Sequence, residues 1–195
     1  TGVASEWPSH ERWSLDSLRE RFGAHAFNVG GLQMTLANLL EYAAGCHDET
    51  PLYLFDKEFA EKAPPLAAEY EVPPFFAPER DLFDAMPAGA RPDHRWLIIG
   101  GTRSGSLWHV DPNATSAWNG LVSGSKRWML SPPRGGPPPG VLPSDDMATV
   151  SQSVSLYEWF RAFHGAFAER RRTAPPALRP VEATVRAGEL IFVPR

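Results

Sequence analysis

In the first third of the chain the apolar positions recur at helical spacing. Leu15, Leu18 and Phe22 form one stripe in SLDSLRERFG, with Ser14 where an N-cap belongs and Gly23 where the helix should stop. MTLANLLEYAAG repeats the plan, capped by Thr35 and stopped at Gly45. AHAFNV and PLYLF predict short strands between and after these helices. KAPPLAAEYEVPPFFAPERD then carries too many prolines for long regular structure and is expected to wrap over a core.

Near residue 94 the period changes to two. RWLIIGG, SLWHV, SAWNGLV and KRWML predict four short strands, punctuated by Gly, Ser, Asp-Pro and Ser-Gly-Ser turns. Residues 131–143 form a Gly/Pro-rich stretch expected to be a mobile loop. VSLYEWFRAFHGAFAERRR predicts one amphipathic helix, with Leu156, Trp159, Phe160, Phe163 and Phe167 on its core face. PVEATVRAGELIFVPR closes with two strands around an Arg-Ala-Gly-Glu turn. Helices first, then many short strands, predict an α+β domain built on an antiparallel sandwich or barrel.

Composition narrows this picture. With 195 residues and 43% hydrophobic positions, the chain is one domain in length and long enough to bury a core. A net charge of −4 argues against a general nucleic-acid binder. The single cysteine, Cys46, excludes an internal disulfide and favours a reducing, intracellular compartment. No apolar run approaches the ~18 residues of a membrane span, and the amino terminus does not read as a signal peptide.

The candidate chemistry lies in SLWHVDPNATSAWNGLVSGSKRW. On a strand, His109 and Asp111 point to one face, setting an imidazole beside a carboxylate just before Pro112 ends the strand. Such a mixed N/O pair suits a divalent metal and, with one more histidine, would make a facial triad for non-haem Fe(II). The dipeptide spacing alone fits a hydrogen-bonded sheet histidine and a turn-capping aspartate better. The next strands change the balance. Asn119 shares a face with Ala117 and Leu121, where an amide needs a partner, and Lys126 shares one with Trp128 and Leu130. Alone, Lys126 reads as an edge-strand lysine. Together the four residues read as a pocket for a metal and an acidic co-substrate.

HVDPNATSAWNGLVSGSKRW, with RWLIIGGTRSGS before it and AGELIFVPR at the end, resembles the JmjC (Jumonji-C) branch of the Fe(II)/2-oxoglutarate oxygenases. The likeness runs from PLYLFD to the last residue, with weaker echoes before it, and is to JmjC lysyl hydroxylases also described as arginine demethylases. It implies a single JmjC domain over residues 1–195, with an amino-terminal helix–strand part (1–50) and a double-stranded β-helix, or jelly roll, over 51–195. His109 and Asp111 would be two of three iron ligands. Lys126 would bind the distal carboxylate of 2-oxoglutarate, helped by Ser106 and Tyr53; Asn119 would contact the co-substrate near the metal, and Trp96 would line the pocket. The implied cofactor is Fe(II), with 2-oxoglutarate and O2 as co-substrates. The implied reaction is hydroxylation of a protein side chain, lysyl hydroxylation first and N-methyl-arginine or lysine demethylation second. The partner would be a protein or peptide bearing lysine or arginine, and nuclear placement is implied by the same likeness.

The family's second histidine ligand falls a few residues past the Val-Pro that LIFVP matches, so it is expected beyond Arg195. His10, His25, His47 and His164 do not fit that role, with His164 expected to face solvent; His94 is the least implausible substitute. A non-catalytic peptide-binding JmjC module and a cupin-like metal enzyme of another reaction type are the competing readings. ERRRT is expected to be the solvated basic end of a helix, and GGTRSGS, which lacks a Gly-Lys-Ser/Thr ending, a turn between strands.

Overall fold

Both amino-terminal helices form as their caps predict. After a short helix α1 (Pro8–Arg12), α2 spans Leu15–Phe22 and α3 spans Leu36–Gly45. The Ser14 hydroxyl accepts from the Ser17 amide at 3.2 Å and the Thr35 hydroxyl from the Asn38 amide at 3.3 Å. The computed structural model describes residues 2–76, 79, 81–87, 89–112, 115–145 and 149–194.

Strands β1 (Ala26–Val29) and β2 (Leu32–Thr35) form a hairpin that the sequence reading missed. Its signal is Gly30-Gly31, both with positive φ (59° and 87°), the conformation a tight two-residue turn needs. With β3 (Tyr53–Asp56) and β4 (Leu97–Gly100) they make an antiparallel sheet ordered β2-β1-β3-β4. One face buries Phe27, Val29, Leu54 and Leu97 against Leu18, Phe22, Leu36 and Leu39 of the helices. Alternation sends Tyr53, Phe55, Trp96 and Ile98 to the other face, where Phe55 and Trp96 stack at 5.9 Å and remain 42% exposed.

Two single-turn helices follow, α4 (Phe59–Lys62) and, within the proline-rich stretch, α5 (Pro64–Ala67), and two carboxylates are buried around them, Asp56 at the end of β3 and Glu69 after α5. Glu69 accepts from Trp13 Nε1 (2.7 Å), Arg21 (2.6 Å) and Arg12 (3.3 Å), tying α1 and α2 to this stretch. Asp56 accepts from Lys62 (2.6 Å) and from the amides of Asn28 and Glu58 (both 2.7 Å).

In the second half, β5 (Ala117–Gly120) pairs with β10 (Leu190–Val193), and β6 (Ser125–Leu130) with β9 (Val181–Arg186). Hydrogen bonding continues through the corner: Leu121 donates to Glu189, Gly188 to Leu121, and Ala187 to Gly124. The register shifts by one residue there, from Gly120↔Leu190 to Ser125↔Arg186, so the four strands are one antiparallel ribbon folded over at a bulge. The outer face of β5 is covered by the amino-terminal segment. Trp7 lies 6.0 Å from Trp118, and its ring occupies the space a side chain on Gly120 would need, 2.4 Å from an added Cβ.

Three expectations are corrected. SLWHV is not a strand: the backbone N–H and C=O of Trp108 pair instead with the side-chain amide of Gln152, at 3.0 and 2.9 Å. The indole of Trp108 is drawn into a cluster with Trp159 and Phe167, which fixes the segment by its side chain. The long helix is two, α6 (Leu156–Ala162) and α7 (His164–Thr173), with a joint at Phe163, whose φ is −123°. There the Phe163 ring packs on Gly140, where an added Cβ would lie 2.4 Å away. Residues 131–143 are held rather than loose, because Trp159 Nε1 donates to Pro139 at 2.9 Å and Arg170 to Pro137 at 2.7 Å. Two short strands, β7 (Leu142–Pro143) and β8 (Val150–Ser151), close that region. Among the described residues, no helix is long and apolar enough to cross a membrane.

Candidate functional site

Although no strand forms at 106–110, His109 and Asp111 lie side by side, with Nε2 and Oδ1 3.3 Å apart. His109 Nδ1 sits 2.8 Å from the Leu107 carbonyl. A carbonyl only accepts, so Nδ1 carries the hydrogen and Nε2 is the ring atom turned toward Asp111. An imidazole nitrogen facing a carboxylate oxygen at this distance calls for a cation or a proton between them. The separation suits two ligands each ~2.1 Å from one divalent ion. The pair is open to solvent on one side, and Val110 between them is 86% exposed.

Tyr53 and Ser106, 53 positions apart, are brought together with their hydroxyls 3.1 Å apart. Tyr53 stands on the open face of the first sheet, opposite Gly100, where an added Cβ would come within 3.0 Å of the Tyr53 Cβ. GGTRSGS is the turn the sequence predicts: Ser104 donates through its amide (3.2 Å) and hydroxyl (2.7 Å) to the Gly101 carbonyl.

Lys126 is half-buried on β6, opposite Val185. Its ammonium lies 4.6 Å from the centre of the Trp128 ring and makes no hydrogen bond or ion pair among the described residues. Burial pushes its pKa below the usual lysine value, since the charged form loses water and gains no carboxylate. Its neighbour Arg127, on the other face, pairs with Glu182. Asn119 sits opposite Ile191 on the inner face of β5, turned away from Trp7, and its amide is likewise without a partner among the described residues. Lys126 and Asn119 touch neither the His109–Asp111 pair nor the Tyr53–Ser106 pair through a hydrogen bond or ion pair. Trp96 is on the same open sheet face as Tyr53.

Among the described residues, no group of three or more histidines, cysteines or carboxylates is placed to hold a metal, so the donor set there stops at His109 and Asp111. His94 does not join them. It lines a separate cavity of about 180 Å³ with Lys57, Arg91 and Arg95, where burial and the Arg91 charge depress its pKa. The expectation that His164 faces solvent is also corrected: its ring packs against Phe160 (5.3 Å) and stacks on Phe167 (6.4 Å), and Nε2 lies 3.6 Å from Glu182. Glu182, half-buried among Arg127, Arg171 and His164, is a junction that the sequence reading missed, as it missed Glu69 and Asp56. ERRRT is a helix end whose arginines have internal uses. Arg171 meets Glu182, Arg172 meets Glu169, and Arg170 meets the 136–137 carbonyls.

Comparison with known proteins places these residues in a family. A family model described as "cupin-like domain" matches residues 1–195. "Arginine-specific demethylase JMJ22" of Arabidopsis thaliana is 45% identical over 193 residues, covering 99% of this chain and 36% of the relative. "Bifunctional arginine demethylase and lysyl-hydroxylase psr-1" of Caenorhabditis briggsae is 35% identical, covering 100% of this chain and 49% of the relative. "2-oxoglutarate and iron-dependent oxygenase JMJD4" of Gallus gallus is 29% identical over 73% of this chain and 31% of the relative. The chain thus spans half or less of the length of these relatives. It belongs to the cupin-like domain family, in its JmjC group.

Proposed function

We propose that residues 1–195 belong to one JmjC domain of an Fe(II)- and 2-oxoglutarate-dependent oxygenase that hydroxylates a protein side chain. The observation that carries this reading is the His109–Asp111 pair, two potential metal-ligand atoms facing each other at 3.3 Å with the imidazole held through Nδ1 by the Leu107 carbonyl. The unpartnered ammonium of Lys126 supports the co-substrate half of the reading. The folded ribbon of β5, β6, β9 and β10 supports a double-stranded β-helix, and the packing of Trp7 on Trp118 supports a single domain.

In this reading His109 and Asp111 hold the iron, which with 2-oxoglutarate and O2 supplies the oxidising power for cleaving a C–H bond. The hydrogen bond to Leu107 fixes the imidazole tautomer and ring orientation. Lys126 binds the distal carboxylate by a charge-assisted hydrogen bond, with the Tyr53 and Ser106 hydroxyls as further donors to the same group. Asn119 orients the co-substrate near the metal, and Trp96 with Phe55 offers an apolar wall on the open sheet face. The protein's contribution is orientation and the exclusion of side reactions.

The substrate is a lysine- or arginine-bearing protein or peptide. Oxidation of a lysyl carbon leaves a hydroxylysine; oxidation of an N-methyl group releases formaldehyde and leaves the amine or guanidine demethylated. Similarity to the arginine demethylase JMJ22 and to psr-1, named for both activities, keeps the second outcome beside the first. Incubation with Fe(II), 2-oxoglutarate, and lysyl and N-methyl-arginyl peptides tests this, with succinate release and peptide mass as readouts. A peptide heavier by one oxygen, or lighter by one methylene, is the expected product. Binding of peptide without succinate release would convert the reading to a non-catalytic module.

A further inference from the structure

We propose that Trp128 is a positioning residue of the anion site, its ring holding the Lys126 ammonium charged and aimed, and so setting the affinity for 2-oxoglutarate. The inference rests on the reading of Lys126 given above. It is carried by three observations at one place on the fold.

First, the Lys126 ammonium lies 4.6 Å from the Trp128 ring centre, inside the ~6 Å reach of a cation–π contact. The two residues are i and i+2 on β6, so the strand itself holds them on one face. Second, among the described residues no other group competes for that ammonium. β9, packed against β6, presents Val185 and Ala183 opposite Lys126 and Trp128, and neither titrates. The charged residues of these strands, Arg127, Glu182 and Arg186, fall on the other face, where Arg127 and Glu182 pair. Third, the Trp128 indole N–H is buried without an acceptor among the described residues, so no hydrogen bond among them explains how the ring is oriented.

The contrast between adjacent residues sharpens the point. Arg127 is neutralised by a carboxylate, whereas Lys126 has only the electron-rich face of an indole. A carboxylate there would compete with an incoming anion; a ring steadies the cation and leaves its hydrogens free for the ligand. Burial already works against the charged form of Lys126. Removing the ring therefore lowers that pKa further, and because binding needs the ammonium, the alkaline limit of binding moves to lower pH.

The test compares wild type, Trp128→Phe, Trp128→Leu and Lys126→Ala. Affinity for 2-oxoglutarate is titrated anaerobically with Fe(II) between about pH 7 and pH 10, the range spanning ordinary lysine titration. The Lys126 side-chain pKa is read separately by NMR of the ligand-free chain. Trp128→Leu should weaken binding about tenfold and bring its alkaline limit down. Trp128→Phe, which keeps a π face, should recover most of both. Should Trp128→Leu not fold, the Phe variant against wild type gives the same ordering at smaller amplitude. Equal affinities and equal Lys126 pKa values in the tryptophan variants, with Lys126→Ala still losing 2-oxoglutarate, would overturn the role of Trp128 alone. Wild-type affinity in Lys126→Ala would overturn the reading of Lys126, and the role of Trp128 with it.

Discussion

Replacing Lys126 by methionine keeps the apolar stem and removes the charge, which makes it a sharper perturbation than truncation to alanine. The half-buried ammonium has no acidic partner among the described residues, so its loss strands no carboxylate and should leave the fold intact. Stability should rise slightly, since burial of an uncompensated charge is unfavourable. The effect on ligand is opposite. Truncating one side of a largely desolvated charge pair costs about 2–5 kcal/mol, and the partial exposure of Lys126 argues for the lower half of that range. Taking about 2–3 kcal/mol, affinity for 2-oxoglutarate should fall roughly 30- to 150-fold. Calorimetric titration of 2-oxoglutarate, paired with thermal melts, measures both quantities. Unchanged affinity, or lost affinity accompanied by a collapse in Tm, would refute the assignment of Lys126 as an anion anchor.

The other predictions concern the metal pair and the frame that supports the site. Asp111→Ala should abolish Fe(II) binding while leaving the ligand-free melting temperature within about a degree, because the surface contact it removes is worth little; anaerobic metal titration and melts check this. Glu69→Gln should destabilise the chain by about 3 kcal/mol, since it disturbs hydrogen bonds from Trp13, Arg21 and Arg12 around a buried carboxylate; urea unfolding measures it. Burial alone would raise the Glu69 pKa, but the Arg21 and Trp13 hydrogen bonds outweigh it and hold the carboxyl below its usual range, as Lys62 and two amides do for Asp56. Both groups therefore stabilise the fold fully above the unfolded carboxylate pKa of about 4, and that contribution is lost as pH falls through their lower folded values. Tm should drop below about pH 4 in wild type and less steeply in Glu69→Gln. Gly120→Ala should cost about 1–3 kcal/mol, because the new methyl meets the Trp7 ring; denaturant melts with tryptophan fluorescence would register it.

Local chemistry was readable in the sequence where it decided structure locally. Ser14 and Thr35 cap the helices they announce, and the alternation in SAWNGLV and KRWML puts Asn119 and Lys126 on the faces expected. His109 and Asp111 meet as i and i+2 neighbours even without the predicted strand. What stayed hidden depends on distant partners. Gln152 lies 44 positions from the Trp108 backbone it satisfies, and Glu69 lies 48 from Arg21. The break at Phe163 is set by its ring packing on Gly140, which no helical periodicity encodes. The juxtaposition of Tyr53 with Ser106 came from family resemblance, not from any local pattern.

The most direct test of the central claim is anaerobic titration of Fe(II) and 2-oxoglutarate, followed by the visible charge-transfer band of the iron-bound keto acid. It should be run on this chain and on a form extended past Arg195 toward the length of its relatives. The account predicts a band in the extended form that disappears with Asp111→Ala and shifts to much higher 2-oxoglutarate concentration with Lys126→Met. No band in either form at saturating Fe(II) and 2-oxoglutarate would contradict it.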